Sequence, residues 1–380
     1  MTILFPYMAR WSSAHASRFY HLLTHVAELG HNIYVIQPPS RNSTETNDID
    51  VDLRTHPNIT VITLNIHKIF WNANFPLEKL IKKLYFTIRS RKLIRQIINE
   101  NKIDLLYLYN IPQFIYLFRC KTKVVFDFAD DLLAMFEIEL GITKKNIIYK
   151  IAEYLLNWTI RRSDMIICIS APLFEKVKHK NKYLVPNGSH INNINSEFGP
   201  SSTNNKFTIG YVGAFEYSMA LDQAIDAAGK LPQFNFLLVG AGRDYERIES
   251  KVKNKNLNNV QLTGAVSHSQ AMELIKSMDV CLNLFYKTEV SHAVSPLKLF
   301  EYLSNRKPVI STRLNEVLRI DEGFLYYGDT VDEIVENISY IFDHKDEAYK
   351  KAMLGYQVVK DKFSWEKIAH NFLNAAKNII

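Results

Sequence analysis

Short apolar runs rich in β-branched and aromatic residues recur along the whole chain, separated by longer segments with helical periodicity. Most of the runs are apolar on both faces, as strands covered by helices on each side must be, so the pattern predicts parallel sheets built from βαβ units. Residues 18–29 fit an amphipathic helix that ends at Gly30. The predicted strands are 3–7, 33–37, 59–64, 105–110, 123–128, 165–170 and 183–187 in the first half, then 207–213, 234–240, 260–264, 280–285 and 308–312.

A polar stretch rich in Asn, Ser, Gly and Pro interrupts this rhythm at 187–206 and predicts an interdomain linker. The expected fold class is therefore α/β, with two Rossmann-like doubly wound domains facing a central cleft. We assign the first domain to residues 1–190, the linker to 191–206 and the second domain to 207–362. Because ligands of open α/β sheets bind at the carboxyl ends of the strands, functional residues are expected just after strands.

Composition excludes several classes of protein but does not identify a ligand or partner. The 380 residues carry a formal charge of +7 and are 47% hydrophobic, which excludes a disordered or fibrous chain. Three widely spaced cysteines indicate neither a disulfide framework nor a zinc site, and we expect no metal and no cofactor. No apolar run approaches the ~20 residues of a membrane span and the amino terminus lacks a basic leader, so we expect a cytoplasmic protein.

The most specific chemistry lies in HAVSPLKLFEYLSNRKPVIST, residues 292–312. Ser295 and Pro296 predict a helix start with Ser as the capping residue, and such an N-terminus binds anions through its free amides. Lys298 in the first turn adds a full charge, and Glu301 can accept hydrogen bonds from ribose hydroxyls. The alternative is an amphipathic helix with a Lys298–Glu301 surface pair.

The stretch S-P-L-K-L-F-E-Y-L followed by K-P-V-I-S-T resembles the donor-nucleotide signature of the group-1 GT-B glycosyltransferases, which transfer sugars from nucleotide donors and build bacterial surface polysaccharides. V-P-N-G at 185–188, I-G-Y-V-G at 209–213 and L-V-G-A-G at 238–242 occur in the family's order. The resemblance also implies that a terminal segment, 363–380, packs back on the first domain. The donor-binding candidates are Gly213, Gly240, Arg243, Val266, His292, Ser295, Pro296, Leu297, Lys298 and Glu301.

Departures from the family pattern leave some of these roles open. The first glutamate of the E-x7-E pair of many retaining members is replaced by Ala293, with His292 beside it as a loop residue or a donor-sugar contact. No Arg or Lys occurs in GAFEYSM, 213–219, so Lys298 carries most of the diphosphate neutralisation. Arg243 is either a second diphosphate ligand or a solvated helix-start residue, and inversion and retention both stay open.

Inversion requires a base that takes the proton of the attacking hydroxyl. Asp127, Asp130 and Asp131 follow a predicted strand, and neighbouring carboxylates raise one another's pKa. This D-x-x-D-D stretch resembles a loop of the xanthan-type glucuronosyltransferases and the teichuronic-acid enzymes, in which an aspartate is taken as the base. We favour Asp130; helix capping is the alternative for Asp131, and a strand-end turn for Asp127.

The loop after the first predicted strand supplies candidates for the acceptor pocket: Arg10, Trp11, Ser12 and His15. Trp11 offers a stacking surface for a sugar ring, and packing against the next helix is its alternative.

The positive charge is concentrated in residues 68–95 and 144–162, where Lys and Arg alternate with aromatic and aliphatic residues. Such segments are typical of helices that bind an anionic membrane surface, although helices packed on a sheet share the pattern. No nucleic-acid motif accompanies the charge.

Together these features predict a metal-independent hexosyl- or glucuronosyltransferase that uses a nucleotide-diphosphate sugar, most simply a UDP-sugar, and a glycan or lipid-linked acceptor. It would act in the cytoplasm, peripherally on the inner face of the cell membrane. A nucleotide-sugar 2-epimerase of the same fold and a non-catalytic small-molecule binding protein are the alternatives.

Overall fold

The computed structural model describes residues 1–11, 18–39, 56–64, 66, 76–191 and 206–380. It divides into two compact units, residues 1–186 with 368–380, and residues 187–367. Both are α/β units built on parallel sheets, as the sequence predicts. The predicted linker lies largely outside the described residues.

The described part of the first unit contains a seven-stranded sheet in the order β3-β2-β1-β4-β5-β6-β7, with every neighbouring pair parallel. The amphipathic helix predicted for residues 18–29 is observed as α1 (Arg18–Glu28), and a 3-10 helix spans Ile111–Leu117. The strands are β1 (Thr2–Pro6), β2 (Asn32–Gln37), β3 (Ile59–Thr63), β4 (Leu105–Leu108), β5 (Lys123–Phe128), β6 (Met165–Cys168) and β7 (Lys182–Leu184). The helices are α1 (Arg18–Glu28), α2 (Pro76–Glu100), α3 (Leu132–Leu140), α4 (Ile147–Arg162) and α5 (Ala171–Lys176).

The second unit repeats the scheme in a six-stranded parallel sheet of order β10-β9-β8-β11-β12-β13. Its strands are β8 (Thr208–Val212), β9 (Asn235–Val239), β10 (Val260–Leu262), β11 (Val280–Asn283), β12 (Val309–Ser311) and β13 (Tyr326–Tyr327). Its helices are α6 (Leu221–Lys230), α7 (Tyr245–Asn254), α8 (His268–Lys276), α9 (Glu289–His292), α10 (Leu297–Ser304), α11 (Asn315–Ile320), α12 (Val331–Asp343) and α13 (Lys345–Lys362). The last helix, α14 (Trp365–Lys377), crosses from the second unit into residues grouped with the first.

The core of the second unit lies on both faces of its sheet. Successive residues of β8 alternate, so Tyr211 packs in one apolar cluster and Val212 in the other. In each sheet the strand order reverses beside the first strand, between β1 and β4 and between β8 and β11. Such reversals open a crevice at the carboxyl ends of the strands, so ligand-binding residues are expected in the loops after these four strands.

Candidate functional site

The amine of Lys298 lies at the strand reversal of the second unit. Its Nζ is 4.7 Å from the ring centroid of Tyr211 on β8 and 4.5 Å from that of Phe285, two residues after β11. The same Nζ is 3.3 Å from the Tyr211 hydroxyl and 2.9 Å from the Met219 sulfur. Helix α10 therefore places the Lys298 amine where the strand reversal opens a crevice for a ligand.

The surroundings of this amine are aromatic rather than acidic. Within the described part of the chain no carboxylate lies within ion-pair distance of Lys298, and its predicted surface pair with Glu301 is absent, since Glu301 bonds elsewhere. Desolvation lowers the pKa of Lys298 to about 7, and the more distant Glu301 charge opposes the shift. An incoming anion would supply the missing counter-charge.

The start of α10 differs from the prediction by one residue and in its capping. The helix begins at Leu297 with Pro296 as its N-cap residue, and no side chain caps it. The prediction that Ser295 caps the helix is wrong, because the Ser295 hydroxyl instead accepts a hydrogen bond from the Asn187 backbone N–H at 3.2 Å. The Asn187 amide donates to the Ser295 carbonyl at 2.6 Å, so the V-P-N-G turn fixes the approach to the helix.

Glu301 projects from α10 toward the start of α8. The Nε2 atom of His268 lies 3.0 Å from Glu301 Oε1, and both side chains are only partly buried. Val266, the candidate for contact with the base of the nucleotide, lies in the loop after β10, two residues before His268, and packs against the apolar cluster on one sheet face. The segment after β10 thus places His268 beside α10 and Val266 against the sheet.

The two glycine turns pack directly against each other. A Cβ atom on Gly240 would lie 2.0 Å from the Gly213 carbonyl oxygen, and one on Gly242 would lie 2.3 Å from the Phe215 carbonyl oxygen. At Gly242 this close approach of two backbone segments leaves no room for a side chain. Arg243 beyond the second turn donates from Nε to Glu216 at 2.6 Å and remains half-exposed.

His292 ends α9, and its Nδ1 accepts the Asn315 backbone N–H at 3.2 Å. Neighbouring Ala293 is buried, so the position of the missing glutamate faces protein rather than an open site.

In the first unit Asp127 is the hub of a buried network. Arg18 donates from Nε to Oδ2 at 2.8 Å and from Nη2 to Oδ1 at 3.2 Å, and the Tyr107 hydroxyl donates to Oδ2. The Arg18 Nη1 also donates to the carbonyls of Val185 and Pro186 at 2.9 and 3.1 Å. Asp127 is 0% exposed with both oxygens bonded, so its candidacy as a base is corrected: it anchors β5, α1 and the turn after β7.

Asp130 and Asp131, two and three residues beyond β5, have separate environments. Asp131 is the N-cap of α3, accepting the Ala134 N–H at 3.1 Å, and it pairs with Lys176 at 2.7 Å. Asp130 is exposed to solvent, yet desolvation by the crowded protein around it, followed by the Asp127 charge, raises its pKa to about 6. Of the three carboxylates, Asp130 is the most exposed, and its raised pKa suits it to accept a proton near neutrality.

The aromatic side chain of the first loop lies inside the unit. Trp11 is 6% exposed, its backbone N–H donates to Gln37 Oε1 at 2.7 Å, and its ring is 5.1 Å from that of Tyr20 on α1. The structure therefore corrects the stacking interpretation of Trp11 in favour of packing. Arg10 is half-buried, whereas Ser12 and His15 lie outside the described residues.

Two helices of the first unit expose apolar side chains beside basic ones. Both α2 and α4 pack on the 3-10 helix, and α3 contacts both. Their exposed apolar positions recur at helical spacing and form what we call the apolar stripes: Ile81, Leu84 and Ile88 on α2, and Ile147, Ile151 and Tyr154 on α4. Exposed Arg89 and Lys92 adjoin the first stripe and Lys144, Lys145 and Lys150 the second.

The described residues contain neither a membrane-spanning helix nor a metal-binding cluster. No helix there combines the length and apolar character of a membrane span. No cluster of three or more His, Cys, Asp or Glu side chains there is arranged to hold a metal ion.

Sequence reasoning missed three contributors to these sites. Arg18 and Tyr107 bind Asp127 from positions 109 and 20 residues away, and His268 meets Glu301 from 33 residues away. The position of His268 just after the loop containing Val266 was the available signal.

Comparison with known proteins agrees with this geometry. The profile of a family described as glycosyl transferase-like matches residues 221–374. An uncharacterized glycosyltransferase of Methanocaldococcus jannaschii is 27% identical over 302 residues, 77% of this chain and 81% of that protein. A Bacillus subtilis protein assigned provisionally as a teichuronic acid biosynthesis glycosyltransferase is 24% identical over 210 residues, half of each chain.

Among solved structures, Anabaena HepE in complex with UDP and glucose superposes with a TM-score of 0.72 at 16% identity, covering 100% of both chains. This likeness extends to the whole fold.

Proposed function

Since the chain belongs to the group-1 glycosyltransferases of the GT-B fold, we propose that it transfers a sugar from a UDP-sugar donor to a glycan or lipid-linked acceptor in surface polysaccharide synthesis, with UDP as the leaving group. The UDP complexes of Anabaena HepE and the teichuronic acid assignment of the Bacillus subtilis relative support this choice of donor and pathway class. The observation that carries the proposal is the partly buried Lys298 amine at the strand reversal, which has no carboxylate partner in the described chain.

The donor diphosphate would take the place of that partner. Its oxygens would bind the Lys298 ammonium and the uncapped first turn of α10, whose free N–H groups and dipole favour an anion. As the glycosidic bond to the β-phosphate breaks, the leaving UDP gains negative charge, and this charge is what the site stabilises. The cation replaces a divalent metal, so we propose metal-independent transfer. Glu301 would accept hydrogen bonds from the ribose hydroxyls.

On the acceptor side, Asp130 would act as the base if the reaction inverts the anomeric centre. Its carboxylate would take the proton of the acceptor hydroxyl while that oxygen bonds to the anomeric carbon. The raised pKa of about 6 supports this role, because a carboxylate with that pKa is a stronger base and is still ionised at pH 7.

The apolar stripes support a peripheral position on an anionic membrane, where a lipid-linked acceptor would be found. The isoleucines of the apolar stripes, which are 51–68% exposed, can enter the headgroup region while the adjoining Lys and Arg side chains bind lipid phosphates. The inner face of the cell membrane is the proposed location.

A thermal-shift screen of nucleotides tests the donor, because a ligand that binds only the folded state raises the unfolding temperature. We expect UDP and one UDP-sugar to stabilise the protein in EDTA, Lys298→Met to abolish the shift, and Lys253→Met, which alters an exposed lysine on α7, to preserve it. No shift with any uridine nucleotide would contradict the proposal. UDP release without acceptor, with epimerised sugar, would instead establish the epimerase.

Cosedimentation with liposomes tests the membrane surface. Ile88→Asp combined with Ile151→Asp should abolish binding to vesicles containing phosphatidylglycerol, whereas Leu354→Asp, at an exposed site on α13, should leave binding intact. Equal binding by all three proteins would refute the assigned surface.

A further inference from the structure

The contact between His268 and Glu301 joins two parts of the proposed donor site. His268 is the first residue of α8 and follows the loop that holds Val266, whereas Glu301 lies one turn beyond Lys298 on α10. An ionised carboxylate only accepts hydrogen bonds, so the 3.0 Å contact is a donation from His268 Nε2–H to Glu301 Oε1.

This contact occupies only one of the two carboxylate oxygens. Among the described residues, Oε2 of Glu301 has no hydrogen-bond partner, and the side chain stays 18% exposed. A glutamate has several rotatable bonds, and restraining it before the ligand arrives reduces the entropy lost on binding.

We infer that His268 is a positioning residue for the nucleoside: it holds Glu301 so that the free oxygen is presented to the ribose hydroxyls of the donor. The inference rests on the proposed function, in which Glu301 contacts ribose. With this role for His268, the loop after β10 would contribute to affinity for the ribose as well as lie beside the base of the nucleotide.

This role predicts how strongly each replacement of His268 weakens ligand binding. Removing the imidazole frees the carboxylate, and the loss of one charge-assisted hydrogen bond with its preorganisation weakens ligand binding roughly tenfold. The change leaves the start of α8 intact, because Ser267 and Gln270 form its capping box. His268→Gln keeps an N–H donor near the Nε2 position and should restore most of the affinity.

Calorimetric titration of UDP tests the assignment. We expect His268→Ala to raise the dissociation constant about tenfold, His268→Gln less than threefold, and Ser269→Ala, on the neighbouring exposed residue, by less than twofold. The apo unfolding temperature of all three should stay near that of the wild type.

Two further titrations separate positioning from direct or merely structural roles. With 2′,3′-dideoxy-UDP, which lacks the ribose hydroxyls, wild type and His268→Ala should bind equally. In a Glu301→Ala background, His268→Ala should have no further effect.

A loss on His268→Ala that persists with the dideoxy ligand, or that adds fully to Glu301→Ala, would overturn the inference. So would undiminished UDP binding by His268→Ala. Wild-type protein that does not bind UDP at all would instead overturn the proposed donor function, and the inference with it.

Discussion

Replacement of Lys298 by methionine tests how one partly buried amine contributes to ligand binding while it lowers the stability of the free protein. The environment lowers its pKa from 10.5 to about 7, so at neutral pH the free protein holds the amine about half protonated. A bound diphosphate would restore the charge. Binding should then take up about 0.5 proton at pH 7 and about 0.9 at pH 8, starting from that pKa of about 7.

The assay is calorimetric titration of UDP in buffers of different ionisation enthalpy, between pH 7 and 9. This range avoids the terminal phosphate, which titrates near pH 6. We expect the dissociation constant to rise nearly tenfold from pH 8 to pH 9 in the wild type. Lys298→Met should lose most of the affinity and all of this proton uptake.

The same substitution should stabilise the free protein. Because the folded pKa lies below the unfolded one, the unfolded chain binds more protons, and wild-type stability rises with pH between about 7 and 10.5. Below pH 7 the drop in pKa from 10.5 to about 7 corresponds to a cost of about 5 kcal/mol for the charged amine, and solvent screening reduces this cost because the side chain is only partly buried. The unfolding temperature of Lys298→Met should exceed that of wild type by several degrees at pH 6.5, and less at pH 9.

Proton uptake that is absent in the wild type, or unchanged in Lys298→Met, would refute the reasoning. A Lys298→Met protein less stable than wild type at pH 6.5 would refute the claim that the charged, desolvated amine destabilises the free protein.

Three other predictions concern the remaining residues. Asp130→Asn should abolish transfer while preserving UDP binding, and in the wild type the logarithm of kcat should rise with pH up to about 6 and then level off; equal turnover by the variant would exclude Asp130 as the base. Asp127→Ala should lower the free energy of unfolding by roughly 3–5 kcal/mol, measured by urea denaturation, because it leaves Arg18 buried without its carboxylate. Tyr302→Phe should cost roughly 1–3 kcal/mol in the same assay, because the Tyr302 hydroxyl bonds both the N–H and the carbonyl of Val212 at 2.8 and 3.1 Å; an unchanged denaturation midpoint would contradict that role.

The strands were predictable because a strand covered by helices on both faces appears in the sequence as a continuous apolar run. All the predicted runs overlap observed strands, and the helix predicted at 18–29 is α1. The strand β13 was missed because it is a two-residue edge strand, Tyr326–Tyr327, too short for any periodicity. Its place follows from pairing with Ile310 and Ser311 of β12, a contact that only the fold creates.

The candidate site was predictable where a local motif carries the chemistry. Lys298 follows the two glycine turns in the sequence, as the order of motifs implied. Its lowered pKa, however, depends on contacts with Tyr211, Met219 and Phe285, which are distant in sequence. The roles of Asp127 and Trp11 depend on burial, which short patterns around one residue do not determine. The sequence could not separate Asp127 from Asp130, since only the partners of Asp127 show that it is occupied.

A crystal structure of the protein with UDP would show whether Lys298 and α10 hold the diphosphate. We expect diphosphate oxygens within hydrogen-bond distance of Lys298 Nζ and the first amides of α10, with the ribose hydroxyls on Glu301 and no metal ion bridging the phosphates. UDP bound away from the carboxyl ends of β8 and β11, or a diphosphate held by a metal while Lys298 stays in its aromatic surroundings, would contradict it.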